Sequence, residues 1–373
     1  MAIPFVHIEA RGTYRELGRA VGEGARDEVR ASVAFFRDDF AALSGGRLTF
    51  AAAEVASLAY ADHARRALPQ CWEELEGLAE GAGLPLSELL VLNCGEEFTC
   101  GEPVEGSEPV EGSHGAPRAS SRGGDHCTAV AVAGQGRHVV GHNMDWYVID
   151  AVNNVFFDLT DPDGTRVMGI AGAPYLLMLG MNSHGVASVS NSVHSNDNRV
   201  GVPNAFVRRA TLGAPSVAEA RARGLLAGRA RGTNHLFADT DGTVWDVETS
   251  ATASAFMDCS ASGHAAHTNH YVSPEMRPFE GSDHAESRVR LATAERMLAQ
   301  GLEDGEDPVE LVARVLRCHE PGPDQAICGH PDESEPPADQ GMTVGSMICD
   351  LDERRIHVCA GAPCENPYQT FEM

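Results

Sequence analysis

The chain has 373 residues, 43% of them hydrophobic, which is enough for one large domain or two ordinary ones. A formal net charge of −26 excludes nucleic acid as an expected partner, since polyanions are repelled. Every basic side chain is an arginine, so neither a lysine Schiff base nor a lysine-bearing phosphate loop can form.

The opening "MAIPFVHIEARG" has no basic segment followed by an apolar one, so no secretory signal is expected. No apolar run reaches the roughly 18–20 residues of a membrane span, so a cytoplasmic protein without a membrane partner is expected. The next stretches, "GTYRELGRAVGEGARDEVRASVAFFRDDFAAL", "FAAAEVASLAYADHARRAL", "CWEELEGLAEGAG" and "LPLSELLVLN", have helical spacing, the third ending on a glycine stop. Composition then changes. Residues 101–124 contain EPVEGS twice, followed by Ser, Gly and Arg, and bury too little apolar surface to fold alone. A disordered, easily cut loop is expected there.

Beyond it the period becomes two. Four hairpins are predicted: "TAVAVAG" with "RHVVGHNMDW", "NVFFDLT" with "RVMGIAG", "HLFADT" with "VWDVETS", and "TVGSMICD" with "RIHVCAG". Helical segments "AFVRRATLGAPSVAEARARGLLAG", "HAESRVRLATAERMLAQG" and "DPVELVARVLRC" interrupt them. The expected fold is α+β, with sheets face to face and helices outside. The ten cysteines show no C-x-x-C pair, so a disulfide framework is not expected and most read as small buried hydrophobes.

Cys127 stands where the polar loop ends and an alternating strand begins, with Asp145 on the return strand. A thiol has a reference pKa of roughly 8.5 and needs a base to become a strong nucleophile. One candidate base is a histidine; no papain-like or caspase-like signature surrounds any cysteine. The other is the cysteine's own α-amino group, with a reference pKa of roughly 7.7–8.0. That route requires the chain to be cut between His126 and Cys127.

The motifs "DHCT" and "GHNMDW" resemble the start of the mature chain in choloylglycine-hydrolase-like N-terminal nucleophile hydrolases. Similarity is strongest to the isopenicillin N acyltransferase family, and "GTYRELGRAVGE", "ELEGLAEGAG", "ELLVLNCGEE", "HTNHY", "SRVR", "ICGHP", "TVGSMICDL" and "GAPCENPY" follow in that family's order. The resemblance implies a four-layer αββα sandwich, made as a precursor. Residues 1–126 would become a helical α chain and 127–373 the catalytic β chain, the two staying together as one domain. It implies Cys127 as nucleophile for cleavage and turnover, and Asp145 as holder of the new α-amino group. Asn269 would be an oxyanion donor, and Asn182 a second oxyanion or substrate-side group. Ser287 and Arg288 match the family's Ser-Arg pair, whose arginine supports the nucleophile or a substrate carboxylate. His142 and Asn143 fall on the substrate side. His142 replaces the arginine of the bile-salt branch, which argues against a bile salt. His126 replaces the usual glycine, which reaches strained dihedrals at less cost.

The expected function is a self-processing amidohydrolase or acyltransferase acting on a linear non-peptide amide or a small amine acceptor. An unprocessed binding protein of the same fold, and a Cys–His hydrolase needing no cut, are the alternatives. Arg208, Arg209, Arg221, Arg223, Arg229 and Arg231 are candidates for a basic patch that could take a coenzyme A thioester. His264, His267 and His270 would align only on a helix; their segment reads as loop then strand, so no metal is expected there. His330 reads as structural and Trp72, Trp146 and Trp245 as core or pocket wall. No cofactor is implied, and a homo-oligomer is allowed.

Overall fold

The computed structural model describes residues 5–99, 127–134, 136–282, 284–336 and 340–373. The expected loop at 101–124 and His126 lie outside these residues. Strand β1 (Val6–Arg11) precedes helices α1 (Tyr14–Gly24), α2 (Arg26–Leu43), α3 (Phe50–Ala67), α4 (Pro69–Ala82), α5 (Leu86–Asn93) and α6 (Gly95–Thr99). Then come β2 (Thr128–Gly134), β3 (Arg137–Tyr147), β4 (Asn154–Thr160), β5 (Arg166–Gly172), β6 (Leu179–Asn182) and β7 (Val186–Ser192). Helices α7 (Asn204–Leu212) and α8 (Val217–Gly224) lead to β8 (Thr233–Asp239), β9 (Val244–Thr249), β10 (Ser254–Asp258) and β11 (His264–His267). Helices α9 (Ala285–Glu303) and α10 (Pro308–Leu316) precede β12 (Gly341–Asp350), β13 (Arg355–Ala360) and β14 (Gln369–Glu372).

All four predicted hairpins form, as the antiparallel pairs β2–β3, β4–β5, β8–β9 and β12–β13. They join into an eight-stranded sheet ordered β1-β4-β5-β6-β7-β8-β9-β10 and a six-stranded sheet ordered β11-β2-β3-β12-β13-β14. No strand is predicted ahead of the first helix, yet β1 forms there and pairs in parallel with β4 at the sheet edge.

Strand alternation divides the apolar residues between layers. Ala129, Ala131, Val140 and Met347 of the small sheet face Phe156, Ile170, Val189 and Leu236 of the large one. The next residues along, Val130, Val132, Val139 and Ile348, face outward onto Leu298, Leu311, Val312 and Leu316 of α9 and α10. Val155, Phe157 and Leu159 of β4 join the core of the N-terminal helices. The result is an αββα sandwich.

The glycines that interrupt the helical pattern of α1 and α4 have a packing cause. A Cβ on Gly18 would lie 1.8 Å from the Glu74 carbonyl oxygen, and one on Gly81 would lie 2.2 Å from that of Arg19. The two helices cross backbone to backbone, so only glycine fits. A capping box of Thr13 and Glu16 starts α1 at this crossing.

Candidate active site

The β2–β3 ladder pairs Thr128 with Asn143, so Cys127, one residue ahead of β2, is carried to the end of β3. Opposite Met144 and Asp145 the register of β12 slips between Thr343 and Gly345. Such a bulge re-aims side chains and ends regular pairing beside a site. Cys127 is half-buried, belongs to no disulfide, and holds its Sγ 3.9 Å from the Asp145 carbonyl oxygen.

Asp145 is buried. Its Oδ1 accepts from Thr343 Oγ1 at 2.6 Å, and its Oδ2 has no hydrogen-bond partner. Burial pushes its pKa up to about 7, against the lowering pull of Thr343 and Arg290. Arg290 on α9 is itself buried. It donates to the Cys127 carbonyl oxygen at 2.9 Å, to Thr128 Oγ1 at 3.3 Å and to Asn269 Oδ1 at 3.0 Å. One guanidinium thus fixes the main chain of Cys127 and the side chain of Asn269 together.

Cys127 and Asp145 line a pocket of about 760 Å³, partly open to solvent, between α5–α6 and the strands. Met144, Trp146, Tyr175, Met178 and Leu179 form an apolar wall. At the other end Arg208 donates to Glu96 at 2.5 Å, and Glu97 is pushed up to about 7 by burial. Among the described residues, the buried acceptor-capable atoms of pocket-lining residues without a protein partner include His142 Nδ1, Asn154 Oδ1, Ser190 Oγ and Asp145 Oδ2. Buried polar atoms are rarely left this way unless a ligand or water meets them. His142 Nε2 faces the Ser190 carbonyl oxygen at 3.0 Å, so it carries the hydrogen. Burial lowers the ring's pKa to about 4, leaving Nδ1 an acceptor at neutral pH.

The other expected residues divide sharply. Asn269 is tied to Cys127 through Arg290 but engaged: its Nδ2 donates to the Ser192 carbonyl oxygen at 3.0 Å. Ser287 supports it, its Oγ accepting from the Asn269 N–H at 2.8 Å. Arg288 is not at the site. It is 44% exposed and pairs with Glu280 on the surface. Residues two apart on a helix point to nearly opposite sides, whereas Ser287 and Arg290 share a face. The second arginine of "SRVR" is therefore the buried one, and helical spacing from Ser287 was the signal that would have found it.

Asn182 is also not in the pocket. Its Nδ2 donates to the Leu212 and Ala214 carbonyl oxygens, and its Oδ1 accepts from the N–H groups of His184 and Val186, which ties the β6–β7 turn to the end of α7. Asn143 faces the outer helices, where it donates to the Leu316 and Ile327 carbonyl oxygens. On a strand, His142 and Asn143 must take opposite faces, and only His142 lines the pocket. The candidate basic patch does not form: four of its six arginines, Arg208, Arg209, Arg229 and Arg231, are buried, Arg223 pairs with Glu219 and Arg221 stacks over Phe256. Arg209, for example, lies between Glu74 and Asp161. His267 is on β11 and meets Glu248, so the three histidines do not share a helix face.

Two sheets between helical layers, with a thiol and a buried carboxylate at a pocket edge, are the setting of an acyl-transferring or amide-hydrolysing enzyme. The model of the acyl-coenzyme A:6-aminopenicillanic acid acyl-transferase family matches residues 132–363, and the chain belongs to that family. The acyl-coenzyme A:6-aminopenicillanic-acid-acyltransferase 40 kDa form of Emericella nidulans is 24% identical over 378 residues, spanning 99% of this chain and 96% of that relative. Among solved structures, penicillin V acylase from Agrobacterium tumefaciens is similar at 15% identity and a TM-score of 0.47, over 66% of this chain and 86% of its own. A conjugated bile acid hydrolase from Clostridium perfringens is similar at 12% identity and a TM-score of 0.44, over 66% and 97%.

Proposed function

We propose that the chain is a precursor that cuts itself before Cys127, and that Cys127 then serves as the nucleophile with its own α-amino group as base. In the first stage Sγ attacks the carbonyl carbon of residue 126. The peptide C–N bond breaks, the nitrogen takes a proton to become the Cys127 amine, and water hydrolyses the thioester. In turnover the neutral amine takes the Sγ proton, the thiolate attacks the substrate carbonyl, and the protonated amine returns its proton to the leaving nitrogen. Water or an amine then resolves the acyl-enzyme.

The observation that carries this reading is Asp145 Oδ2, a buried acceptor without a partner beside Cys127. An α-ammonium released there would meet it and would favour its ionised form. Arg290 keeps Cys127 in place through its carbonyl oxygen whether or not the amide before it is intact.

The pocket favours a substrate with an apolar acyl group against Trp146 and Tyr175 and an N–H donor toward His142 Nδ1 and Ser190 Oγ. The coenzyme A thioester in the relative's name is a polyanion, and this chain buries four of the six arginines that could have met it while carrying a net charge of −26. Hydrolysis of a linear amide, or transfer to a small amine, is therefore the preferred reaction. The test is a series of chromogenic amides of apolar acids, with tryptic mass spectrometry of trapped enzyme. An acyl adduct on Cys127, with turnover abolished in Cys127→Ala, is expected. Undiminished turnover by Cys127→Ala would overturn the assignment.

A further inference from the structure

We propose that His319, Cys328, His330 and Cys364 form a structural Zn²⁺ site that clamps the loop behind Asp145. His319 follows α10, Cys328 and His330 flank Gly329 in the connection to β12, and Cys364 follows β13, so three separate segments converge. One ligand atom from each of the four residues lies within 4.8 Å of the other three.

The spacings fit the ion. With Zn–S near 2.3 Å and Zn–N near 2.0–2.1 Å, tetrahedral ligand atoms sit about 3.8 Å apart for S–S, about 3.3 Å for N–N and about 3.6 Å for S–N. Here Cys328 Sγ and Cys364 Sγ are 3.5 Å apart, and His319 Nε2 and His330 Nε2 are 3.0 Å apart. Sulfur to nitrogen is 3.2 Å for Cys364–His330 and 4.0 Å for Cys328–His330. Two thiols and two imidazoles are a donor set for zinc rather than for magnesium or calcium, which take oxygen. The second nitrogen of His330 faces Glu365 Oε1 at 3.7 Å, a carboxylate placed to orient a ligating ring. Binding would release the two thiol protons to solvent.

The clamp reaches the catalytic side through backbone. The Gly329 N–H donates to Thr343 Oγ1 at 2.9 Å, the Thr343 N–H donates to the Gly329 carbonyl oxygen at 3.1 Å, and Thr343 Oγ1 donates to Asp145 Oδ1. Holding Cys328 and His330 thus holds the hydroxyl that orients Asp145. The ligands are positioning residues, and the site stands whether or not Cys127 is the nucleophile.

The experiment measures metal by elemental analysis in full-length protein purified with reductant and without chelator, followed by exchange for Co²⁺. About one equivalent of zinc is expected, together with the visible absorption of tetrahedral, thiolate-bound cobalt. His319→Ala and Cys364→Ser change side chains near the surface and should lose the metal while keeping their circular dichroism. Glu365→Gln should weaken zinc affinity by about tenfold. Wild-type protein that holds no zinc and gives no thiolate–cobalt spectrum on titration would overturn the proposal. So would a full equivalent retained by both ligand variants, or a Cys328–Cys364 disulfide in protein prepared with zinc and reductant. The cobalt spectrum of the wild type decides the matter even if a variant misfolds.

Discussion

Replacing Asp145 by Asn should stabilise the uncut protein and destabilise the cut one. In the uncut chain Asp145 is buried with one oxygen unpartnered, and its pKa is raised from 3.8 to about 7. The folded state therefore holds this proton more tightly than the unfolded state does. Stability falls as pH rises from about 4 to about 7, at about 1.4 kcal/mol per unit, for a ceiling of about 4 kcal/mol above that window. Asn does not titrate, but its amide inherits the unpartnered position at a cost of about 1–3 kcal/mol. The net gain at pH 8 is about 2 kcal/mol, which for 373 residues is about 2–3 °C in Tm. Near pH 4, where the carboxyl is protonated, only the amide's cost remains, and Asn should destabilise by about 1–3 kcal/mol. The assay is thermal unfolding of Cys127→Ala with and without Asp145→Asn, from about pH 4 to 8. Once cleavage supplies an α-ammonium, the carboxylate gains a counter-charge, and Asn should then lower Tm. An Asp145→Asn effect on the uncut protein that does not change with pH would refute the idea of a carboxylate awaiting a cation.

Arg290→Ala removes a buried cation from three acceptors, so it should cost about 3–5 kcal/mol in urea unfolding and most of kcat, whereas Arg288→Ala on the surface should change either by little. Asn182→Ala should lower stability by about 2–4 kcal/mol, since it frees four backbone groups, three of them buried, yet leave kcat of the folded fraction unchanged. Gly81→Val drives a side chain into the Arg19 carbonyl oxygen; the α1–α4 crossing should open, read as loss of soluble protein or a large drop in Tm.

The hairpins were legible because a period of two and the turn residues between the strands are local signals, and each pairs with its sequence neighbour. β1 was not, because its partner β4 is far along the chain and nothing in "FVHIEAR" names it. The same distinction runs through the site. Cys127 and Asp145 lie on one hairpin, and both line the pocket. Arg290 arrives from α9, and the three-residue helical spacing from Ser287 separates it from Arg288. Asn182 and Asn143 are polar residues in strands, and only the tertiary structure shows that their amides satisfy distant carbonyl oxygens. The cluster of His319, Cys328, His330 and Cys364 was hidden because its spacing of nine, two and thirty-four residues matches no local metal motif.

The most direct test of self-processing is the intact mass of the purified, active protein with the N-terminal sequence of each piece. Scaling the 39.6 kDa chain by length, cleavage before Cys127 gives about 13 kDa and about 26 kDa, the larger beginning Cys-Thr-Ala-Val, and Cys127→Ala leaves one uncut chain. A single full-length chain with full turnover would contradict the α-amino mechanism and point instead to a histidine-activated thiol.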